Sequence, residues 1–198
     1  ICVTGDFITW KYKRYAEYAE VLSQLSAAAP TFACLGNHDG GSWAEGKMKL
    51  GNGNSAEVRE LLTASKIKLL HNEHTTATIN GSEINLVGVG DLWNHECEPE
   101  TAFDGIDTTH PTLLLSHNPD TKDQLAAFPW QLMLSGHTHG GQLYLPGLGA
   151  PLAPVKNKKF VRGLHRIDDR WLHISKGVGN LHGVRFNCRP EVTLLTVA

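Results

Sequence analysis

Four times in this chain a short apolar run ends in glycine or serine followed at once by a side chain that binds metals. The stretches are "CVTGD" at Cys2 to Asp6, "FACLGNHD" at Phe32 to Asp39, "LLLSH" at Leu113 to His117 and "LMLSGHTHGG" at Leu132 to Gly141. Short apolar runs without polar alternation read as strands buried on both faces, the kind found in parallel sheets. Parallel strands need crossover connections, so their carboxyl ends fall along one rim, where α/β folds bind ligands. The repetition therefore constrains the chain to an α/β architecture. In it, Asp6, Asn37, His38, Asp39, His117, His137 and His139 meet despite their distance in sequence.

The intervening segments supply the crossovers. Lys13 to Ala29 reads as a helix, with Tyr15, Tyr18, Leu22, Leu25 and Ala29 recurring at helical spacing and Pro30 stopping it. Asn54 caps the next helix, with Glu57 three residues on and Val58, Leu61 and Leu62 on its apolar face. From Ile67 to Val89 the period shifts toward two, and Asn80-Gly81 marks a hairpin turn. "NPDTKDQLAAF" reads as a helix capped by Asn118, with Pro119 in its first turn. The last third reads as a hairpin around Asp168-Asp169 and a closing strand in "EVTLLTV". Two packed sheets with helices on their outer faces follow from this order.

Composition narrows the function. The chain has 198 residues, 41% hydrophobic, enough for one domain over residues 1–198 to bury a core without disulfide or metal staples. Eighteen basic against twenty acidic residues give a net charge of -2 with no basic block, which argues against duplex nucleic acid as a partner. Cys2, Cys34, Cys97 and Cys188 form no C-x-x-C pair and read as free thiols. No stretch approaches the roughly 18 apolar residues of a membrane span. "ICVTGDF" starts inside an apolar strand, so residues are expected upstream.

Imidazole and carboxylate at four strand ends suit manganese, zinc or iron, and one carboxylate can bridge two such cations. Two histidines one residue apart, as in "GHTHGG", can reach different metals. The blocks "GD", "GNHD", "SH" and "GHTHGG", in this order, resemble those of the calcineurin-like metallophosphoesterases. "GHTHGGQ" with the later "GVRFNCRPEV" is similar to a bacterial subgroup of small phosphodiesterases, distantly related to UDP-2,3-diacylglucosamine hydrolases.

The resemblance implies a four-layer α-β-β-α sandwich of two mixed sheets, lacking its first strand here. It implies a phosphodiesterase that attacks phosphorus with a hydroxide bridging two divalent metals, Mn2+, Zn2+ or Fe2+. Asp6 would bridge them, Asn37, His117 and His137 would complete one metal, and His139 would bind the other. His38 would face the substrate, oriented by Asp39. The family opens with Asp-x-His on its first strand, and no such motif precedes Asp6.

Asn180, His182 and Arg185, in a glycine-rich loop, and Asp91 are candidate substrate contacts. His71, His74, His110, His165 and His173 read as surface or core residues. Trp10, Trp43 and Trp93 follow rim strands and either stack a planar group or cap the core. The apolar loop Tyr144 to Pro154, with Lys156, Lys158 and Lys159 after it, is compatible with anionic lipid headgroups or with packing under the rim. The expected substrate is a phosphodiester or nucleotide-lipid. Other readings are a pyrophosphohydrolase of UDP-2,3-diacylglucosamine, a phosphomonoesterase, and a metal-bound scaffold without turnover. No obligate protein partner is evident. The expected place is the cytoplasm, peripherally at the membrane's inner face, with an export signal left open.

Overall fold

A computed structural model describes residues 1–48, 52–180 and 183–196. Three strands, β1 (Cys2–Thr4), β2 (Phe32–Cys34) and β3 (Lys68–Leu69), form a parallel sheet in that order. Between them run α1 (Tyr15–Ala28), α2 (Ser42–Met48) and α3 (Ala56–Ala64). A second sheet has six strands in the order β4-β5-β6-β7-β9-β8. These are β4 (Glu73–Ile79), β5 (Ser82–Gly88), β6 (Thr112–Leu115), β7 (Leu132–Ser135), β8 (Gly163–Ile167) and β9 (Arg170–Ile174). Its four inner strands are parallel, and antiparallel hairpins close both edges. A single-turn α4 (Pro99–Ala102) lies between β5 and β6.

Successive side chains along each inner strand serve different layers, as the pleat requires. Ala33 packs outward with Leu22, Val58, Leu61 and Leu62 of α1 and α3. Cys34 points the other way, joining Leu70, Leu86 and Leu115 between the two sheets. Leu114, Met133, Leu172 and Ile174 then face a third cluster behind the second sheet, with Trp130 and Phe103. Helices, sheet, sheet and an outer layer of short helical turns and loops thus stack in order. Burial on both faces explains why these strands carry no polar alternation.

The helix expected at Lys13 to Ala29 forms as α1, and Asn80 and Gly81, both at positive φ, make the turn between β4 and β5. Three local expectations are corrected. "NPDTKDQLAAF" forms only a 3-10 turn, Pro119–Asp123, with the Asn118 side chain accepting from Asp120 N. Leu125 is its one wholly buried large side chain, too little apolar surface to hold an amphipathic helix. Asn54 does cap α3, its Oδ1 accepting from Ala56 N, with Ser55 between it and the helix, but the capping box stays open because Glu57 bonds the Tyr15 hydroxyl and the Asn52 amide instead. "EVTLLTV" makes no strand among the described residues. The segment stays off both sheets, and Val192 and Leu194 stand 88% and 93% exposed. All four cysteines are free.

Candidate metal centre

Parallel pairing brings the carboxyl ends of β1 and β2 in one sheet, and of β6 and β7 in the other, to a common rim. The loops leaving those ends are tightly wound. Asp6, His137 and His139 all adopt positive φ (58°, 65° and 51°), a region unfavourable to residues with a Cβ, and one that recurs at functional sites.

There, four side chains converge. His137 Nδ1 lies 2.8 Å from Asn37 Oδ1 and 3.1 Å from His117 Nε2. His117 Nε2 is also 3.1 Å from Asn37 Oδ1 and 3.3 Å from Asp6 Oδ2. Asn37 draws the group together, for no three His, Cys, Asp or Glu side chains close on one point among the described residues. The His117 ring is oriented from behind, its Nδ1–H donating to Thr4 O at 2.6 Å, which turns Nε2 into the cluster.

Protons alone serve this group poorly. Burial by itself would raise the Asp6 pKa, but the adjacent His117 and then His38 and His137 hold it below the ordinary carboxylate range. Burial lowers His117, yet Asp6 outweighs it and lifts that ring to about 9. Burial and the His117 charge push His137 down to about 3. A proton on His117 satisfies Asp6 but leaves two ring nitrogens 3.1 Å apart, with room for one hydrogen between them at most. Two further nitrogens, His137 Nε2 and His139 Nδ1, are buried without a partner among the described residues. A divalent cation, accepting from oxygen and nitrogen together, suits this donor set.

Each remaining candidate has a definite place. His38 donates its backbone N–H to Asp6 Oδ1, and its Nδ1 bonds Thr9 O at 3.1 Å, leaving Nε2 without a protein partner among the described residues. Asp39 does not orient that ring, and the expectation is corrected. Its buried carboxylate accepts backbone N–H bonds from Asp6 and Gly36 at one oxygen and from Phe7 and Ile8 at the other. Burial and the Asp6 charge push the Asp39 pKa up to about 7 while the amides oppose them. Four donors filling both oxygens leave no lone pair for a proton, so we take the ionised form as the one this loop is built around.

Asp91 is buried beside the cluster, Oδ1 holding the Trp93 and Asn94 amides and Oδ2 without a partner among the described residues. Arg185 lies beside His139, whose carbonyl it bonds, with its guanidinium also donating to the carbonyls of Lys176, Gly177, Gly179 and Cys188. Asn180 is exposed, and His182 lies outside the described residues.

One part of the site was not legible in the motifs, and a second was only one of two readings of the sequence. One is backbone: the Thr4 and Thr9 carbonyls orient His117 and His38, and any residue type offers a carbonyl. The other is aromatic. Trp43 sits 4.8 Å from His38 and Trp93 4.3 Å from His137, ring to ring, so both tryptophans touch the site.

Gly36 shows how closely the rim is packed. A Cβ there would lie 2.3 Å from Asp6 Oδ1 and 2.7 Å from His117 Cε1. Gly36→Ala is accordingly expected to lower phosphoesterase turnover at least roughly a hundredfold by displacing both side chains. Steady-state kinetics beside a circular-dichroism melt checks this, and wild-type turnover in the variant would refute it.

Two packed sheets with helical outer layers, and a nitrogen-and-oxygen donor cluster on their shared rim, define a metal-dependent hydrolase. The calcineurin-like phosphoesterase family matches residues 1–141, and the chain belongs to that family; its activity is phosphoester hydrolysis. It is 41% identical to Phosphodiesterase YaeI of Escherichia coli over 98% of its length and 68% of that protein's. It is 29% identical to UDP-2,3-diacylglucosamine pyrophosphatase LpxG of Chlamydia muridarum, over 97% and 71%. In fold it is similar to the Haemophilus influenzae NAD nucleotidase, with TM-score 0.51 and 16% identity over 89% of this chain and 40% of that one. The Mycobacterium tuberculosis phosphopantetheinyl hydrolase gives 0.52 and 12%, over 87% and 77%. No helix among the described residues is long and apolar enough to cross a membrane.

Proposed function

We propose that the chain is a phosphodiesterase working through a dinuclear divalent-metal centre, within one domain over residues 1–198. Asp6, Asn37, His117 and His137 would hold one cation, and Asp6 with His139 the second. The observation that carries this reading is the mutual approach of the Asn37, His117 and His137 donor atoms to 2.8–3.1 Å, with Asp6 Oδ2 3.3 Å from His117 Nε2, at a buried rim. Manganese, zinc and iron all accept such donors. Bound there, they would supply Lewis-acid polarisation of the phosphate and lower the pKa of a water.

The protein's own groups do the rest. The Thr4 carbonyl sets the His117 ring. Thr9 holds His38 so that its Nε2 faces outward, where it hydrogen-bonds a phosphoryl oxygen or gives a proton to the departing alkoxide. Asp39 keeps the two loops carrying Asp6 and His38 in register. Trp43 and Trp93 shield the imidazoles from bulk water, which strengthens every charge interaction between them.

Similarity to Phosphodiesterase YaeI favours a diester. A nucleotide-lipid pyrophosphate is the second reading, favoured by similarity to LpxG and by Leu148 and Leu152, exposed in the loop preceding Lys156. That loop would rest on an anionic membrane surface.

The test is hydrolysis of an aryl phosphodiester, an aryl phosphomonoester and UDP-2,3-diacylglucosamine, before and after chelation. Diester turnover should vanish on chelation and return with manganese, zinc or iron. Faster monoester turnover would refute the diester, and turnover indifferent to chelation would refute the metal centre.

A further inference from the structure

The loop after β1 does more than carry Asp6. Between Phe7 and Tyr12 it folds over α1 to leave a cleft of about 320 Å³, walled by Trp10, Tyr12 and Tyr18 with Thr9 and Lys11. This volume lies at the small end of the roughly 300–1,000 Å³ typical of ligand pockets. Two of its lining residues also touch His38. Thr9 O accepts from the His38 ring, and the Trp10 indole meets that ring edge-on at 6.4 Å. Its aromatic lining is braced from within: Tyr12 packs edge-on against Tyr18 at 5.6 Å, and the Tyr18 hydroxyl donates to Phe7 O. Trp10 stays 37% exposed, and Lys11 makes no ion pair or hydrogen bond among the described residues.

We infer that this cleft is the subsite for the organic group esterified to the phosphate, and that this group is a planar aromatic ring. The inference rests on the phosphodiesterase reading and names one class of substrate for it. Braced aromatic walls present flat faces and polarised edges, which reward a ring over a flexible chain of equal area. The volume accommodates one ring system. Lys11 at the mouth adds a cation for an anionic substituent on it, a preference that salt would weaken. Trp10 is thus a specificity residue, touching both the ring and the histidine that faces phosphate.

Competitive inhibition of phosphodiester hydrolysis by phenyl, methyl and octyl phosphate tests the assignment. Methyl phosphate reports the metal centre alone. Phenyl phosphate should bind about tenfold tighter than methyl phosphate. Trp10→Ala should erase that preference, and Trp10→Phe should restore most of it. A phenyl preference that survives Trp10→Ala, or octyl phosphate binding tighter than phenyl with the same dependence on Trp10, would overturn the inference. Tryptophan-fluorescence titration with the phenyl and methyl compounds gives the same comparison in a protein that hydrolyses nothing. A ring preference there without turnover would leave the cleft standing and remove the phosphodiesterase reading alone.

Discussion

Asp39→Ala is expected to leave little stably folded protein, costing on the order of 4 kcal/mol or more. Its carboxylate is wholly buried and accepts four backbone N–H groups from the loops after β1 and β2. Each buried donor left unpaired costs about 1–3 kcal/mol, against a total stability of about 5–15 kcal/mol. Removing the charge also relieves repulsion from Asp6, which trims the loss without reversing it. Asp39→Asn should fall between, because its NH2 group would confront two N–H donors where an oxygen accepted them. Urea unfolding of the three proteins gives the comparison. A loss below about 1 kcal/mol for the alanine variant would show that water replaces the carboxylate and that the loops do not depend on it.

Asp6→Asn is expected to fold and yet lose phosphoesterase turnover on the order of a thousandfold or more. The amide oxygen can still accept from the His38 backbone N–H, so the loop geometry survives. What disappears is the one negative charge within the donor cluster, and with it the affinity for a second cation. Metal analysis should find fewer than two divalent ions per chain in the purified variant. In the metal-free protein the His117 ring, raised to about 9 chiefly because Asp6 outweighs burial, should titrate well below that value. Proton NMR of the imidazole reads this without turnover. Unaltered metal content together with near-normal turnover would exclude Asp6 from the centre.

Within one motif, neighbouring side chains take separate roles. In "GNHD" the aspartate looks like a partner for the neighbouring histidine, but adjacent side chains in a tight loop diverge. Asp39 turns back into the protein to collect amides, while His38 turns out toward Trp10 and Trp43. The histidine is instead fixed by the Thr9 carbonyl. The same limit applied to Arg185, whose charge and glycine-rich setting suggested a ligand. It donates to the carbonyls of His139, Lys176, Gly177, Gly179 and Cys188, a use that no residue pattern announces.

By itself the sequence determined the layered α/β fold and which polar side chains stand at the strand ends. Strands buried on both faces must be apolar throughout, and a donor placed at the end of such a strand must sit on the rim. Both facts are local and leave a mark in residue order. Only the tertiary structure decided how the donors face one another, that Trp10 joins a braced aromatic cleft to His38, and that "EVTLLTV" forms no strand. Those outcomes depend on backbone carbonyls and on distances between segments far apart in the chain. Side-chain type carries none of that information.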